Sequence, residues 1–290
     1  MSREPAGQRP LGAVALALFA IASIQSGAAL AVGLFDQVGP AGAVFLRNLL
    51  AIPVLFVIGR PRLRSRSRAD LWLGVRFGIA LAVMNLAIYA AIDRLPLGVA
   101  VTIEFLGPLG VAMFTGGSRL AVLWAALAAL GVVALAGPFS GGTDALGIVF
   151  ALIAAAGWAS YILLGPRLGR AFPGVSGLAF GVTIAALLQL PLGVAAGGSE
   201  LLSPAVLAMA AGVALLSTVI PYAAEIEALR RIPTAPFGVL MSLEPAIAAL
   251  IGFLALGQDL LAREIAGIVL VILASAGAIR TARLPAPVRD

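Results

Sequence analysis

The chain contains no cysteine and no histidine. Disulfides are therefore excluded, together with histidine-ligated zinc sites, Ser–His nucleophile pairs and histidine proton relays. Lysine is missing too: all 19 basic residues are arginine. Charge of either sign is sparse, at 11% of 290 residues. No glycine-rich loop ending in Lys-Ser/Thr occurs, so the chain carries no phosphate cradle for an ATP-driven pump. The segment from Gly137 to Gly142 mimics a nucleophile elbow around Ser140, but there is no histidine to activate that serine. No catalytic motif, metal-ligand set or cofactor-binding motif remains.

What is present is apolar. Hydrophobic residues make up 61% of the chain and the mean hydropathy is +1.09. A water-soluble globule cannot bury that much apolar surface. Crossing a hydrocarbon core takes about 20 helical residues. The runs are long and continuous, without the alternation of strands, which favours helices over a barrel. Ten spans are predicted, at 11–33, 40–59, 71–92, 96–115, 119–137, 145–165, 174–196, 204–229, 234–256 and 262–280. Breaks fall at Gly39-Pro40, at the arginine-rich stretch from Arg60 to Asp70, at Leu95-Pro96, at the Gly137 to Gly142 segment, and at Phe172-Pro173, Gly197-Gly198 and Ile232-Pro233.

The net charge of +6 and a pI near 11.1 would suit nucleic acid, but the arginines sit in short connectors beside apolar spans, as topology signals do. No nucleic-acid partner is expected. Ten spans put Arg3, Arg9, Arg60, Arg62, Arg64, Arg66, Arg68, Arg119, Arg167, Arg170, Arg230, Arg231, Arg280, Arg283 and Arg289 on one side. The other side holds Arg94 and Arg263 with Asp36, Asp93, Asp144, Glu200, Asp259 and Glu264. The positive-inside rule then predicts both termini in the cytoplasm. The first 31 residues imitate a signal peptide, with Arg3, Arg9, an apolar run and Ala29-Leu30-Ala31. Gln25 and Ser26 within that run suit a retained helix better.

Arg94-Leu95-Pro96 and Pro108 recur as Arg231-Ile232-Pro233 and Pro245, each 137 residues later. The offset is close to half the chain. Five spans per half is an odd number, so the halves would insert with opposite orientation, as inverted repeats of secondary transporters do. Chance placement of proline at helix starts is the alternative. The fold expected is an all-α integral membrane protein of ten transmembrane helices, as two five-helix inverted repeats, 1–140 and 141–290, around a central cavity.

Ionisable groups at membrane depth are costly and need a reason. Glu104 and Glu244 fall mid-span, Glu244 directly before Pro245, and Glu225 lies in the inner part of the eighth span. A protonated structural carboxyl is the bland reading; a binding group for a proton or an ammonium is the functional one. Glu227 is placed to pair with Arg230 or Arg231 at an interface. Thr218, Tyr222 and Glu225 follow at i, i+4 and i+7, on one helical face, and Pro221 should bend that helix or free a carbonyl. Asn85 and Tyr89 are i and i+4, and Trp158 and Tyr161 i and i+3, a spacing equally consistent with packing. Arg47 lies roughly 10 Å into the second span. It could snorkel, pair with Glu104 or meet a substrate carboxylate. Arg76 should snorkel, between Gly74 and Gly78 at the GxxxG spacing.

At these residues the sequence resembles the drug/metabolite transporter superfamily, EamA type, and within it the threonine and homoserine exporters of bacterial inner membranes. The likeness is carried by Ser23-Ile24-Gln25-Ser26-Gly27-Ala28, by Leu95 to Ala100 running into Glu104-Phe105-Leu106-Gly107-Pro108-Leu109, and by Leu216-Ser217-Thr218 with Pro221-Tyr222 and Glu225. Phe237 to Ala246, with Glu244-Pro245, Met84-Asn85 with Tyr89, and Gly157-Trp158 with Tyr161 extend it over nearly the whole chain. The resemblance implies paired five-span inverted repeats, a central cavity, efflux driven by the proton gradient and a bacterial inner-membrane location. The expected partners are a small-molecule substrate, protons and membrane lipid, with no cofactor. Substrate or proton binding is expected at Glu104, Glu244, Glu225, Gln25, Ser26, Arg47, Asn85, Tyr89, Trp158, Tyr161, Thr218 and Tyr222. The open alternatives are an exporter of another metabolite or drug in the same superfamily and, outside it, an intramembrane enzyme working through paired carboxylates or a passive channel.

Overall fold

The computed structural model describes residues 8–61, 66–115, 120–136, 144–229, 237 and 240–281. Among these no strand occurs, as expected where the backbone cannot hydrogen-bond to solvent and must satisfy itself within each segment. The helices are α1 (Gln8–Val32), α2 (Phe35–Gly59), α3 (Arg68–Ile92), α4 (Leu97–Glu104), α5 (Leu106–Thr115) and α6 (Ala121–Ala136). They continue with α7 (Ala145–Ala171), α8 (Ser176–Gly197), α9 (Pro204–Ala214), α10 (Ile220–Leu229), α11 (Glu244–Leu256) and α12 (Ala262–Thr281). A π-turn, Leu215–Val219, joins α9 to α10. Among the described residues seven helical stretches are long and apolar enough to cross a membrane: Val14–Val32, α2, α3, Leu97–Phe114, α7, Ser176–Leu202 and α12.

The distribution of side chains is inverted relative to a soluble protein. Phe114, Val122, Val57, Leu254 and Trp72 face outward, whereas Gln25, Asn48, Asn85, Thr102 and Gln189 are buried. That arrangement suits a hydrocarbon solvent, in which polar groups are the ones that must be hidden.

The bundle is held largely by pairings between elements far apart in sequence: α2 on α8, α3 on α7 and α8, α6 on α12, α4 on α11, and α1 on α9–α10. Small residues let these helices approach. Gly74 lies under the Phe180 ring and Gly78 against Ile184, so the GxxxG spacing of α3 is used to seat α8. Deeper in the same interface the Asn48 amide donates to Gln189 Oε1 at 2.8 Å, and Gln189 Nε2 donates to the Ala82 carbonyl at 3.2 Å. This relay ties α2, α8 and α3 together with both amides fully buried.

Helix ends are closed by charge. Asp144 caps α7 by accepting from the Leu146 and Gly147 backbone N–H groups, and pairs with Arg94 at 2.8 Å. The Gly147 N–H and the Arg94 guanidinium hold the Asp144 carboxyl below its ordinary value. Arg263 donates to the Ala134 and Leu135 carbonyls at the end of α6, where a cation complements the free carbonyls. Ser67 and Asp70 form a capping box at the start of α3, and the Arg66 guanidinium lies 5.6 Å from the Phe172 ring centre.

Candidate functional site

Two of the expected spans are interrupted, and each interruption carries a buried carboxylate. The predicted 96–115 span breaks at Phe105: α4 ends on Glu104 and α5 starts at Leu106. Pro108 explains the break, because it has no N–H to offer the Glu104 carbonyl four residues earlier. In the other segment Ser242 and Leu243 form a turn, and α11 starts at Glu244 with Pro245 in its first turn, where a missing donor is harmless.

The helices α4 and α11 lie in direct backbone contact. A Cβ on Gly98 would stand 2.7 Å from the Ala249 Cα, so only glycine allows this approach. Gln258, beyond the end of α11, reaches back to accept from the Leu97 backbone N–H at 2.9 Å and caps α4. Gly257 makes that return possible with its φ of +61°.

The carboxylates of the two breaks meet residues from α1, α2 and α10. Gln25 Nε2 of α1 donates to Glu244 Oε1 at 3.0 Å. Glu104 interacts electrostatically with Glu244 and with Arg47 of α2, and Glu244 with Glu225 of α10. Three carboxylates therefore form one cluster, with one guanidinium, among the described residues, at its edge. Glu104, Glu244 and Gln25 are 8%, 5% and 2% exposed, so bulk water does not screen them. Arg47 is held by Tyr89, donating to its hydroxyl at 3.4 Å with the guanidinium 5.3 Å from the ring centre. Phe35 supports the Tyr89 ring from 5.8 Å, and Trp158 meets Phe105, the residue after Glu104, edge-on at 5.5 Å.

The π-turn before α10 supplies a second irregular backbone. Ile220 N–H bonds to the Leu215 carbonyl, and residue 221, next in that register, is proline. The Leu216 carbonyl is thus left without its backbone donor, and Ser23 of α1 fills the vacancy with an Oγ–H···O bond of 2.7 Å. Gly27, one turn along α1, leaves room for the Ser217 hydroxyl, which would be overlapped by any Cβ there. Freed carbonyl, serine and glycine together dock α1 on the wound-out helix.

Residues 145–280 match the model of the EamA-like transporter family. Over 269 residues, 92% of this chain and 90% of the relative, the sequence is 41% identical to the threonine/homoserine exporter RhtA of Salmonella typhimurium (strain SL1344). The chain belongs to the EamA-like transporter family. RhtA of Escherichia coli (strain K12) is 40% identical over 280 residues, 96% of this chain and 94% of that one. A protein crystal structure covering 93% of this chain and 96% of its own superposes with a TM-score of 0.59 at 20% identity, a likeness of fold alone. The named relatives are exporters, and the chain is a transporter rather than an enzyme.

In this EamA-like transporter the polar residues singled out by sequence do not all converge. Gln25, Glu104, Glu225, Glu244, Arg47 and Tyr89 do, through the contacts above. Asn85 is buried one turn before Tyr89 on α3, and Ser26 is half-buried next to Gln25. Thr218 lies inside the π-turn, whose hydrogen-bond spacing is not the α-helical one that the i, i+4, i+7 expectation assumes. Tyr161 meets the Phe77 ring in a tilted pair at 4.9 Å and lines a separate cavity of about 330 Å³ with Leu168, Phe172 and Leu178. The side chains of Tyr222 and Glu227, and the whole of Arg230 and Arg231, lie outside the described residues. Sequence reasoning overlooked Asn48, Gln189 and Gln258. The signal for the first two was available: an amide inside an otherwise apolar span, the same feature that drew attention to Gln25.

Proposed function

We propose that this chain is a secondary active exporter of small amino acids of the threonine and homoserine kind, exchanging them for protons. The observation that carries the reading is the bipolar cluster: Glu104, Glu225 and Glu244 at interrupted helices, with Arg47 as the counter-charge. A zwitterionic amino acid offers an ammonium to the first set and a carboxylate to the second. Identity of 40–41% to exporters of these amino acids over almost the whole chain supports the same substrate class. A carboxylate that takes either a proton or the substrate ammonium gives exchange directly, as the protein rocks between two orientations. Asn85, Tyr89, Ser26, Trp158 and Thr218 shape the path around that centre.

The seven membrane-length helices, with the shorter apolar stretches Val122–Leu135, Pro204–Val219 and Glu244–Leu256, support ten crossings. Two inverted halves, 1–140 and 141–290, are supported by the packing scheme. Swapping the first span with the sixth, the second with the seventh, and so on, exchanges the α1–α10 contact with the α3–α7 contact. The same swap returns α2–α8, α4–α11 and α6–α12 each to itself. The arginine distribution supports cytoplasmic termini in a bacterial inner membrane.

Uptake of labelled threonine and homoserine into everted vesicles, with and without an imposed pH gradient, tests the reading. Gradient-driven accumulation over vesicles lacking the protein is expected. Equal uptake in both across an amino-acid panel overturns it.

A further inference from the structure

Two buried oxygens in the carboxylate cluster have no donor, Gln25 Oε1 and Glu244 Oε2. They belong to the two side chains that already share the Gln25 Nε2 to Glu244 Oε1 bond. At 2% and 5% exposure neither residue has bulk water to turn to. A buried acceptor left bare is destabilising, and more so when it is charged. Both orphans are acceptors, so a rotated side chain cannot cure one with the other. One hydrogen added to Glu244 Oε2 and directed at Gln25 Oε1 would satisfy both. Protonated on Oε2, Glu244 becomes a donor, and the free atom of its partner amide is a carbonyl oxygen. A carboxylic acid and a primary amide join in this way through two antiparallel hydrogen bonds, N–H to acid carbonyl and O–H to amide carbonyl.

We propose that Gln25 and Glu244 form such an acid–amide pair, and that a primary ammonium of the substrate displaces its proton by taking the same two oxygens. The proposal rests on the exporter reading for the identity of the substrate, and on the two side chains alone for the pair. In the exchange the Glu244 O–H bond breaks and the proton leaves to water. The –NH₃⁺ group then donates to Glu244 Oε2 and Gln25 Oε1, and the site becomes one unit more negative. Gln25 thus binds the ammonium directly and selects for a group with several N–H donors. The charged groups facing Glu244 are Glu104 from α4 and Glu225 from α10. The described part of α1 contributes the neutral Gln25, and the charges of α12 lie in its first and last turns. The only cation of the cluster, among the described residues, is Arg47, which acts on Glu104. Among the described residues nothing near Glu244 supplies a permanent positive charge in place of the proton or the ammonium.

Infrared difference spectroscopy of the full chain in lipid nanodiscs tests the pair. Wild-type protein should show a carboxylic-acid C=O band, in a region where ionised amino-acid carboxylates do not absorb. Glu244→Gln should remove the band while keeping both hydrogen bonds as an amide–amide pair, and with them the fold. Gln25→Leu should move the band to higher frequency, because the acid carbonyl loses its N–H donor. Saturating threonine or homoserine should abolish the wild-type band. A band that Gln25→Leu leaves in place, or no band in the wild type, overturns the pair. A band that survives either saturating amino acid overturns the displacement. If the band and its Gln25 dependence hold but vesicles transport neither amino acid, the exporter reading fails and the pair stands.

Discussion

Replacing Gly98 with alanine adds one methyl group at the tightest point between α4 and α11, and the structure sets two opposing effects against each other. Alanine is favoured over glycine in a helix interior by about 0.8–1.0 kcal/mol. Against this, the new Cβ would sit 2.7 Å from both the Cα and the Cβ of Ala249 and 3.0 Å from its backbone nitrogen. Carbon atoms prefer roughly 3.5–4.0 Å, so the helices must part by about 1 Å. Overpacking of this kind is destabilising by about 1–3 kcal/mol. The clash wins, leaving a net loss of roughly 0–2 kcal/mol. The functional loss should be larger, because Glu104 lies six residues, about 9 Å, further along α4 and moves with it. Gly110 of α5 is the matched control: its Cβ would meet nothing within 4 Å, so Gly110→Ala should be neutral or stabilising. Unfolding free energies of both variants in lipid, with transport into vesicles, make the comparison. Gly98→Ala as stable and as active as Gly110→Ala would refute the close-approach reasoning.

The Asn48–Gln189 pair should show energetic coupling in a double-mutant cycle with alanine. Each single variant should lose about 1–3 kcal/mol and the coupling should fall between about 0.6 and 1.7 kcal/mol; strictly additive singles would dismiss the pair. Glu104→Gln should abolish gradient-driven uptake while leaving the protein monodisperse, and undiminished uptake would remove Glu104 from the mechanism. At the α7 cap, Asp144→Ala should lower the melting temperature more than Asp144→Asn, which keeps an acceptor for Leu146 and Gly147 N–H. Because the Asp144 carboxyl is held below its ordinary value of 3.8, its contribution is present above that pH. It is lost as pH falls through the depressed value, so the wild type and Asp144→Ala should converge in acid and diverge at neutrality.

Much of the architecture is written in composition. Continuous apolar runs bounded by Gly, Pro and Arg predict helices, and α2, α3, α7 and α12 lie where such runs fall. The spacing argument fails where proline acts at a distance. Pro108 was legible as a residue, but its effect appears four positions earlier, ending α4 on Glu104 inside what reads as one span. Pro221 likewise acts upstream, because it has no N–H for the Leu216 carbonyl five residues earlier in the π-turn, which Ser23 bonds instead. Of the site, Gln25, Glu104 and Glu244 were legible because polar groups are conspicuous in apolar sequence. Which of them touch was not, since the Gln25–Glu244 bond joins residues 219 positions apart and helical periodicity carries no information about partners. Tyr161 shows the converse, an aromatic that shares a helix with Trp158 yet packs against Phe77 in another cavity.

The interleaving of α2 with α8 and of α3 with α7 has a consequence for the order in which the protein is made. When the ribosome has completed residue 140, α1 to α6 are already synthesised, but the broadest packing faces of α2 and α3 have nothing to rest on. Asn48 then has no Gln189, Arg94 has no Asp144, and Ser23 has no Leu216 carbonyl. Each of these contacts closes only when the later chain arrives. The early segment would then hold these faces unpartnered until the later chain is made. A chain cut near residue 140 should therefore yield two fragments that are each degraded alone and accumulate when made together.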